Sequence, residues 1–335
     1  MKIMHILLVI VLALSNCSGS QKQSKTTVNP EVYANTITVT ELKDMLYTYA
    51  SDAYEGRKTG EEGQKKAVNF IKAHYVANNI ASPIAEGDYF QEIPADYFNG
   101  RVDKASENVI AYIKGAELPD EVVIISAHLD HIGISGNGAI NNGADDDGSG
   151  TVGILEIAQA FKKAEKDGFS PKRSVVFLHV TAEEIGLFGS RYYADVEPIF
   201  PLKNTVANLN IDMIGRVDAK HEGQANYLYL IGSDRLSKEL HAVSDSINKA
   251  TVNLDFDYTF NAENDPNRFY YRSDHYNFAK HNIPVIFYFN GTHDDYHKPS
   301  DTPDKINYEF LETRTRLIFY TAWELANREE RVKLD

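Results

Sequence analysis

The 335 residues contain one cysteine, Cys17, so no disulfide can form within the chain. Basic residues are scarce: 34 Lys and Arg face 48 Asp and Glu, giving a net charge of −14, and no run of Lys or Arg is longer than a pair. Nucleic acid is thereby excluded as a partner, because phosphate binding needs a basic patch. Long apolar runs are missing too. The one near the start, residues 6–14, is too short for a membrane span of ~20 residues. From residue 42 onward strand-like and amphipathic helix-like segments alternate with no internal repeat and no Pro- or Gly-rich break. That pattern reads as one α/β domain.

The chain begins MKIMHILLVIVLALSNC, with an early lysine, the short apolar run and then Cys17. This has the form of a processing segment. Leu14-Ser15-Asn16-Cys17 resembles a bacterial lipobox, although Asn16 stands where a small residue is usual. The expectation is a signal peptide over residues 1–17, with Cys17 lipidated and the protein held at the cell envelope, facing the periplasm or in the outer membrane. Secretion after cleavage near Ser20 is the alternative. Residues 18–40 read as a polar tether and 41–335 as the folded domain.

Five separated stretches each deliver a metal-type ligand or its supporting carboxylate just after a strand-like apolar run. In EVVIISAHLDHIG, His128 falls at the strand end and Asp130 is placed to hold its ring, since a metal-bound imidazole usually gives its other N–H to a carboxylate or carbonyl. A strand cap would also account for His128, and His131 is left out. In NNGADDDGSG, three consecutive aspartates precede a helix that Ser149 could cap; one aspartate would serve a cap, and packing three is costly without a cation. RSVVFLHVTAEEIG ends in Glu183 and Glu184, which as neighbours point to different sides, so one can bind metal while the other handles a proton. A helix N-terminus would equally favour two glutamates. His179, within that strand, reads as a packed core histidine. TVANLNIDMIG places Asp212, and GTHDDYHKPSDT places His293 and His297, after further strands. Ligands of open α/β sheets bind outside the carboxyl ends of the strands, and all five stretches obey that rule.

In motif content and order the chain resembles the di-zinc aminopeptidases of metallopeptidase family 28, whose relatives include glutaminyl cyclases and glutamate carboxypeptidases. The resemblance runs over about residues 42–327. It includes YEGRKTGEEGQKKAVNFIKAHY as an N-terminal helix entry and NVIAYIKG as the first sheet strand. It implies a single domain with a mixed, mostly parallel central sheet and helices on both faces, the zinc-dependent exopeptidase, phosphorylase/hydrolase-like fold. Residues 216–267 fit least well and read as an added strand, NYLYLIG, a helix over 234–249 and a polar loop that could shape specificity or simply be solvated surface.

The resemblance further implies that Asp145 bridges two zinc ions, that His128 and Asp212 complete one site, and that Glu184 and His297 complete the other. Manganese or cobalt would suit the same donors. Glu183 would be the general base acting on a water shared by the ions. The peptide bond after the bridging aspartate is cis in the family, which here would be Asp145–Asp146, and Asp130 and Asp146 would support the ligands. YYRSDHYNF resembles the pattern Tyr-x-x-Ser-Asp-His, making Tyr270 an oxyanion donor and leaving Asp274 and His275 structural. The implied substrates are peptides with a free N-terminus. A glutaminyl cyclase reading is disfavoured by two full ligand sets; a carboxypeptidase would need a basic grip, for which Arg268 and Arg272 are candidates. A non-catalytic binding module of this fold would usually have lost ligands.

Overall fold

The computed structural model describes residues 28–224 and 226–335. The expected signal peptide and Cys17 lie outside the described residues. Eight strands form the sheet: β1 (Phe90–Ile93), β2 (Ser106–Ile113), β3 (Leu118–His128), β4 (Arg173–Val180), β5 (Thr205–Ile211), β6 (Tyr227–Ile231), β7 (Asp255–Asp257) and β8 (Val285–Phe289). Their spatial order is β1-β2-β4-β3-β5-β8-β6-β7. The four central strands, β4, β3, β5 and β8, are mutually parallel. β2 and β6 run antiparallel to them on the two flanks.

The β-branched runs that mark these strands are buried on both sides, as parallel strands covered by helices require. In β3, Val123 and Ile125 enter one apolar cluster and Val122 and Ile124 another, on the opposite face. The helices are α1 (Glu31–Ala34), α2 (Val39–Tyr49), α3 (Glu62–Ala77), α4 (Gly150–Lys166), α5 (Phe188–Asp195), α6 (Lys238–Ala250), α7 (His275–Ala279) and α8 (Tyr308–Asn327). Leu155, Ile157 and Phe161 of α4 and Leu317, Ile318 and Phe319 of α8 fill the first cluster. Each such side chain contributes roughly 1.5–3 kcal/mol by leaving water. Tyr193 of α5 and Phe278 of α7 close the other face.

Three expectations are corrected. The polar tether ends sooner than residue 40: Tyr33, Ala34 and Ile37 are buried in the first cluster, and Thr38 caps α2 by accepting from the Glu41 amide at 3.2 Å. The strand over residues 108–115 is not first, because Phe90–Ile93 pairs outside it. The helix expected from residue 234 begins at Lys238, where Ser237 accepts from the Leu240 amide at 3.1 Å and sets the start. The added strand β6 is present, and it carries β7 on the sheet edge.

The parallel core puts the carboxyl ends of β4, β3, β5 and β8 side by side, and the segments leaving those ends carry all five sequence stretches. Two buried arginines lock these segments. Arg57 donates to the carbonyls of Leu129, Asn142 and Gly143 at 3.2, 2.6 and 2.8 Å, and Arg314 donates to those of Ile214 and Arg216 at 2.8 Å each. Each therefore satisfies carbonyls that have no partner in the sheet.

Candidate metal centre

His128 is the last residue of β3 and is almost fully buried. Its Nδ1 lies 3.1 Å from the Asp130 carbonyl and 3.8 Å from the Asp130 carboxylate. The backbone carbonyl rather than the carboxylate is therefore the acceptor that orients the ring, and Nε2 is left facing inward. There it meets Asp146 Oδ1 at 3.1 Å and Asp212 Oδ1 at 3.7 Å. The Asp130 carboxylate accepts from Thr59 Oγ1 at 2.8 Å and from the Glu183 amide at 3.1 Å, so it fixes the backbone of the expected base. Asp212 follows β5 directly, and its second oxygen accepts from Ser273 Oγ at 2.6 Å, which ties the Ser-Asp-His segment to the cluster.

Asp146, not Asp145, is the aspartate that faces two imidazoles. Asp146 Oδ1 faces His128, while Asp146 Oδ2 lies 3.1 Å from His297 Nε2. His297 is also 3.1 Å from Glu184 Oε2. The two neighbouring aspartates are turned away and saturated by other groups. Asp145 accepts from the Gly215 amide at 2.7 Å and Ser149 Oγ at 3.0 Å, and faces His293 Nε2 at 3.2 Å. Asp147 accepts from the amides of Gly150, Met213 and His128 at 3.0, 3.1 and 3.2 Å. Asp146 alone of the three keeps a carboxylate open to two imidazoles. The cis bond correspondingly joins Asp146 to Asp147 rather than Asp145 to Asp146.

The same contacts revise two smaller readings. Asp147, not Ser149, caps α4, and Ser149 spends its hydroxyl on Asp145. Gly150 has to be glycine for this, because a Cβ there would sit 2.4 Å from Asp147 Oδ1. His131 belongs to the cluster that the sequence reading left it out of: its Nδ1 is 2.7 Å from Glu184 Oε1 and 3.7 Å from Asp146 Oδ2. Asp301 is a further contributor that the sequence did not single out. Fully buried, it accepts from the amides of Asp145 and Asp146 at 3.0 and 3.2 Å and so presents the aspartate run.

Backbone strain concentrates here. Ala182, next to Glu183, Met213, next to Asp212, and His297 itself have φ of +59°, +62° and +56°. Non-glycine residues pay for that conformation, and it persists where surrounding structure aims a side chain.

Electrostatics follows the same division. Burial alone would raise Asp146, yet His128 and His297 hold its carboxyl well below the usual range. Burial would lower His128, but Asp146 and Asp212 hold its ring well above normal. Glu183 goes the other way: burial, helped by Glu184, Asp212 and Asp274 against the opposing charge of His128, pushes its carboxyl well above the usual range. The adjacent Glu183 and Glu184 are thus shifted in opposite directions, since burial and the charge of Asp146 would raise the Glu184 carboxyl, yet His131 and His297 hold it below the usual range.

The donor set fits two divalent ions. His128 and Asp212 gather with one oxygen of Asp146, and His297 and Glu184 with the other. His131 Nδ1, Asp146 Oδ2 and Glu184 Oε1 are buried without an aligned hydrogen-bond partner among the described residues. Buried polar atoms that converge in this way, here His131, Asp146 and Glu184, are what a cation would satisfy. Of the remaining expected residues, Tyr270 is outside these pairings. Its ring packs 3.9 Å from the Arg235 guanidinium and lines a cavity of about 300 Å3 with Arg235, Asp265 and Arg268. His179 is a core histidine, bonded to the Tyr75 hydroxyl at 2.6 Å.

The sequence profile of peptidase family M28 matches residues 108–322, more than half of the chain. The chain belongs to that family. It is 32% identical over 151 residues to a probable glutamate carboxypeptidase, LAMP1, of Arabidopsis thaliana, covering 43% of this chain and 21% of that protein. To the aminopeptidase YwaD of Bacillus subtilis it is 28% identical over 239 residues, 69% of this chain and 47% of the relative. The chain thus spans less than half the length of either. Among solved structures, BSAP, a zinc aminopeptidase from Bacillus subtilis, matches with a TM-score of 0.67 at 17% identity, over 89% of this chain and 97% of that one. That likeness establishes the shared fold of the M28 domain described here.

Proposed function

We propose that this M28 chain is a two-zinc aminopeptidase. The observation that carries the reading is Asp146, whose two oxygens face two histidines from different loops, with Glu183 half-buried beside Glu184. His128, Asp212 and Asp146 would hold one ion; His297, Glu184 and Asp146 the other. When bound, the ions supply Lewis acidity toward the scissile carbonyl and toward water. Glu183 accepts the proton of the attacking water on its carboxylate and delivers it to the leaving amine. Its amide, held by the Asp130 carboxylate, keeps that side chain in place through the transfer. Tyr270 keeps its hydroxyl proton, because burial raises its pKa, and can donate to the developing oxyanion. The substrates would be peptides with a free N-terminus.

A carboxypeptidase reading is supported by the LAMP1 identity. It needs a guanidinium free for a substrate carboxylate. Arg268 and Arg272 are exposed and lie over the rings of Tyr271 and Phe269, at 5.0 and 4.9 Å, contacts that leave their N–H donors open, so cleavage of C-terminal glutamate peptides is measured beside the anilides.

Metal content measured by mass spectrometry, beside cleavage of a panel of aminoacyl-anilides with and without chelator, tests the proposal. About two zincs per chain and chelator-sensitive anilide release are expected. Glu183→Gln should keep the zinc and lose at least 100-fold in turnover, within the range for general-base loss; near-normal turnover would remove Glu183 as the base. The proposed location is the cell envelope, through a lipid on Cys17. Cys17→Ala should move the protein from the membrane to the soluble fraction, and an unchanged distribution would refute the anchor.

A further inference from the structure

We propose that His131 is a third imidazole of the metal centre, a ligand to the ion held by Glu184, Asp146 and His297; the inference rests on the two-metal reading. His131 is 1% exposed and sits three residues beyond His128 in the same segment. Its Nδ1 approaches Glu184 Oε1 to 2.7 Å, yet the pair is not aligned as a hydrogen bond, and neither ring nitrogen has an aligned partner among the described residues. The two atoms form an ion pair at 2.7 Å, a separation that an ion between them would also bring about. The third unsatisfied atom, Asp146 Oδ2, completes the convergence at 3.7 Å from Nδ1.

The spacing suits four ligands around one ion. Donors about 2.0–2.1 Å from a tetrahedral zinc lie roughly 3.3 Å apart. Here the four imidazole-to-carboxylate separations among His131, His297, Glu184 and Asp146 run from 2.7 to 3.7 Å, with His297 3.1 Å from both carboxylates. His131 and His297 meet edge to face, with ring centroids 5.8 Å apart.

The fold holds the ring there by several independent contacts. The His131 amide donates to the Arg57 carbonyl at 3.2 Å, and Arg57 in turn donates to the Asn142 and Gly143 carbonyls. Gly143, at φ +57°, leaves space for the imidazole; a Cβ on it would lie 2.6 Å from His131 Cδ2. A histidine that merely filled the core would not need its nitrogen placed between two ligating carboxylates. The consequence is an asymmetric pair of sites, with two imidazoles on the Glu184 ion and one on the His128 ion.

The test is zinc titration of the full chain against a chromophoric chelator, with X-ray absorption of the zinc-loaded protein to count imidazoles. The wild type should bind two zincs that share three imidazoles. In His131→Ala the weaker-held or lost zinc should show at least a 10–100-fold rise in Kd, and the count should fall to two. His131→Asn, which keeps a polar group near Glu184, should not restore either value, which separates a ligand from a hydrogen-bonding support. Two zincs at wild-type affinity with an unchanged imidazole count in both variants would overturn this inference alone. A wild type that binds fewer than two zincs would overturn the two-metal reading, and this inference with it.

Discussion

Alanine at Asp145 and alanine at Asp146, one residue apart, should give opposite phenotypes. Asp145 receives the Gly215 amide at 2.7 Å and Ser149 Oγ at 3.0 Å, both buried, and faces the part-buried His293 at 3.2 Å. Ser149 Oγ keeps its bond to the Asp145 carbonyl, but the Gly215 amide and the His293 ring lose their partner at roughly 1–2 kcal/mol each, so Asp145→Ala should cost about 2–4 kcal/mol. For a domain of this size about 2 °C is lost per kcal/mol, which sets a drop of roughly 4–8 °C in Tm. Its metal sites would remain. Asp146→Ala deletes the shared ligand instead. In the metal-free protein the ion pairs with His128 and His297 are lost, partly offset by relief of repulsion from Glu184, so the unliganded Tm should fall modestly. What disappears is linkage: an ion at 1,000 times its Kd stabilises the native state by about 4 kcal/mol, and two ions by about twice that.

The assay is thermal unfolding with chelator and with saturating zinc. The wild type and Asp145→Ala should both rise in Tm on adding zinc, the variant from a lower baseline, whereas Asp146→Ala should show almost no rise. The reverse pattern, a zinc shift kept by Asp146→Ala and lost by Asp145→Ala, would refute the assignment of the bridge and the reasoning from carboxylate saturation behind it.

Two further outcomes are expected. Tyr270→Phe should lower kcat by about 10- to 1,000-fold with little change in KM if its hydroxyl stabilises the oxyanion, and an unchanged kcat would assign Tyr270 to packing. Glu156 is 1% exposed, and burial followed by the charge of Glu41 pushes its carboxyl up to about 8. The unfolded chain ionises this group near its ordinary value, so stability is full at low pH and is lost as pH rises toward 8, with a slope of up to about 1.4 kcal/mol per unit. Glu156→Gln should therefore be more stable than the wild type at pH 8 by about 1–2 kcal/mol in urea melts; equal stability there would mean that Glu156 is ionised in the fold.

How far the centre could be read from sequence depended on whether a residue's role was set by its own strand or by another one. The strand ends were legible because a buried parallel strand is a continuous apolar run, and a polar residue just beyond it must face the carboxyl edge: this located His128, Glu183, Glu184 and Asp212. The family resemblance added His297, which lies eight residues past its strand. Neither source could rank three identical aspartates. What separates them is contact with groups that are distant in the chain: Gly215 and His293 consume Asp145, Met213 and Gly150 consume Asp147, and only Asp146 is left over. The same reason hid His131, whose placement depends on Gly143 leaving room and on Arg57 fixing its backbone from before the sheet begins. The folded start of the domain escaped notice because α1 has only four residues, too few for any periodicity, and is held by burial of Tyr33 and Ala34 rather than by its own propensity. Residues that make up a ligand shell are thus chosen partly by what their neighbours have already bonded, and that choice is written in tertiary contacts.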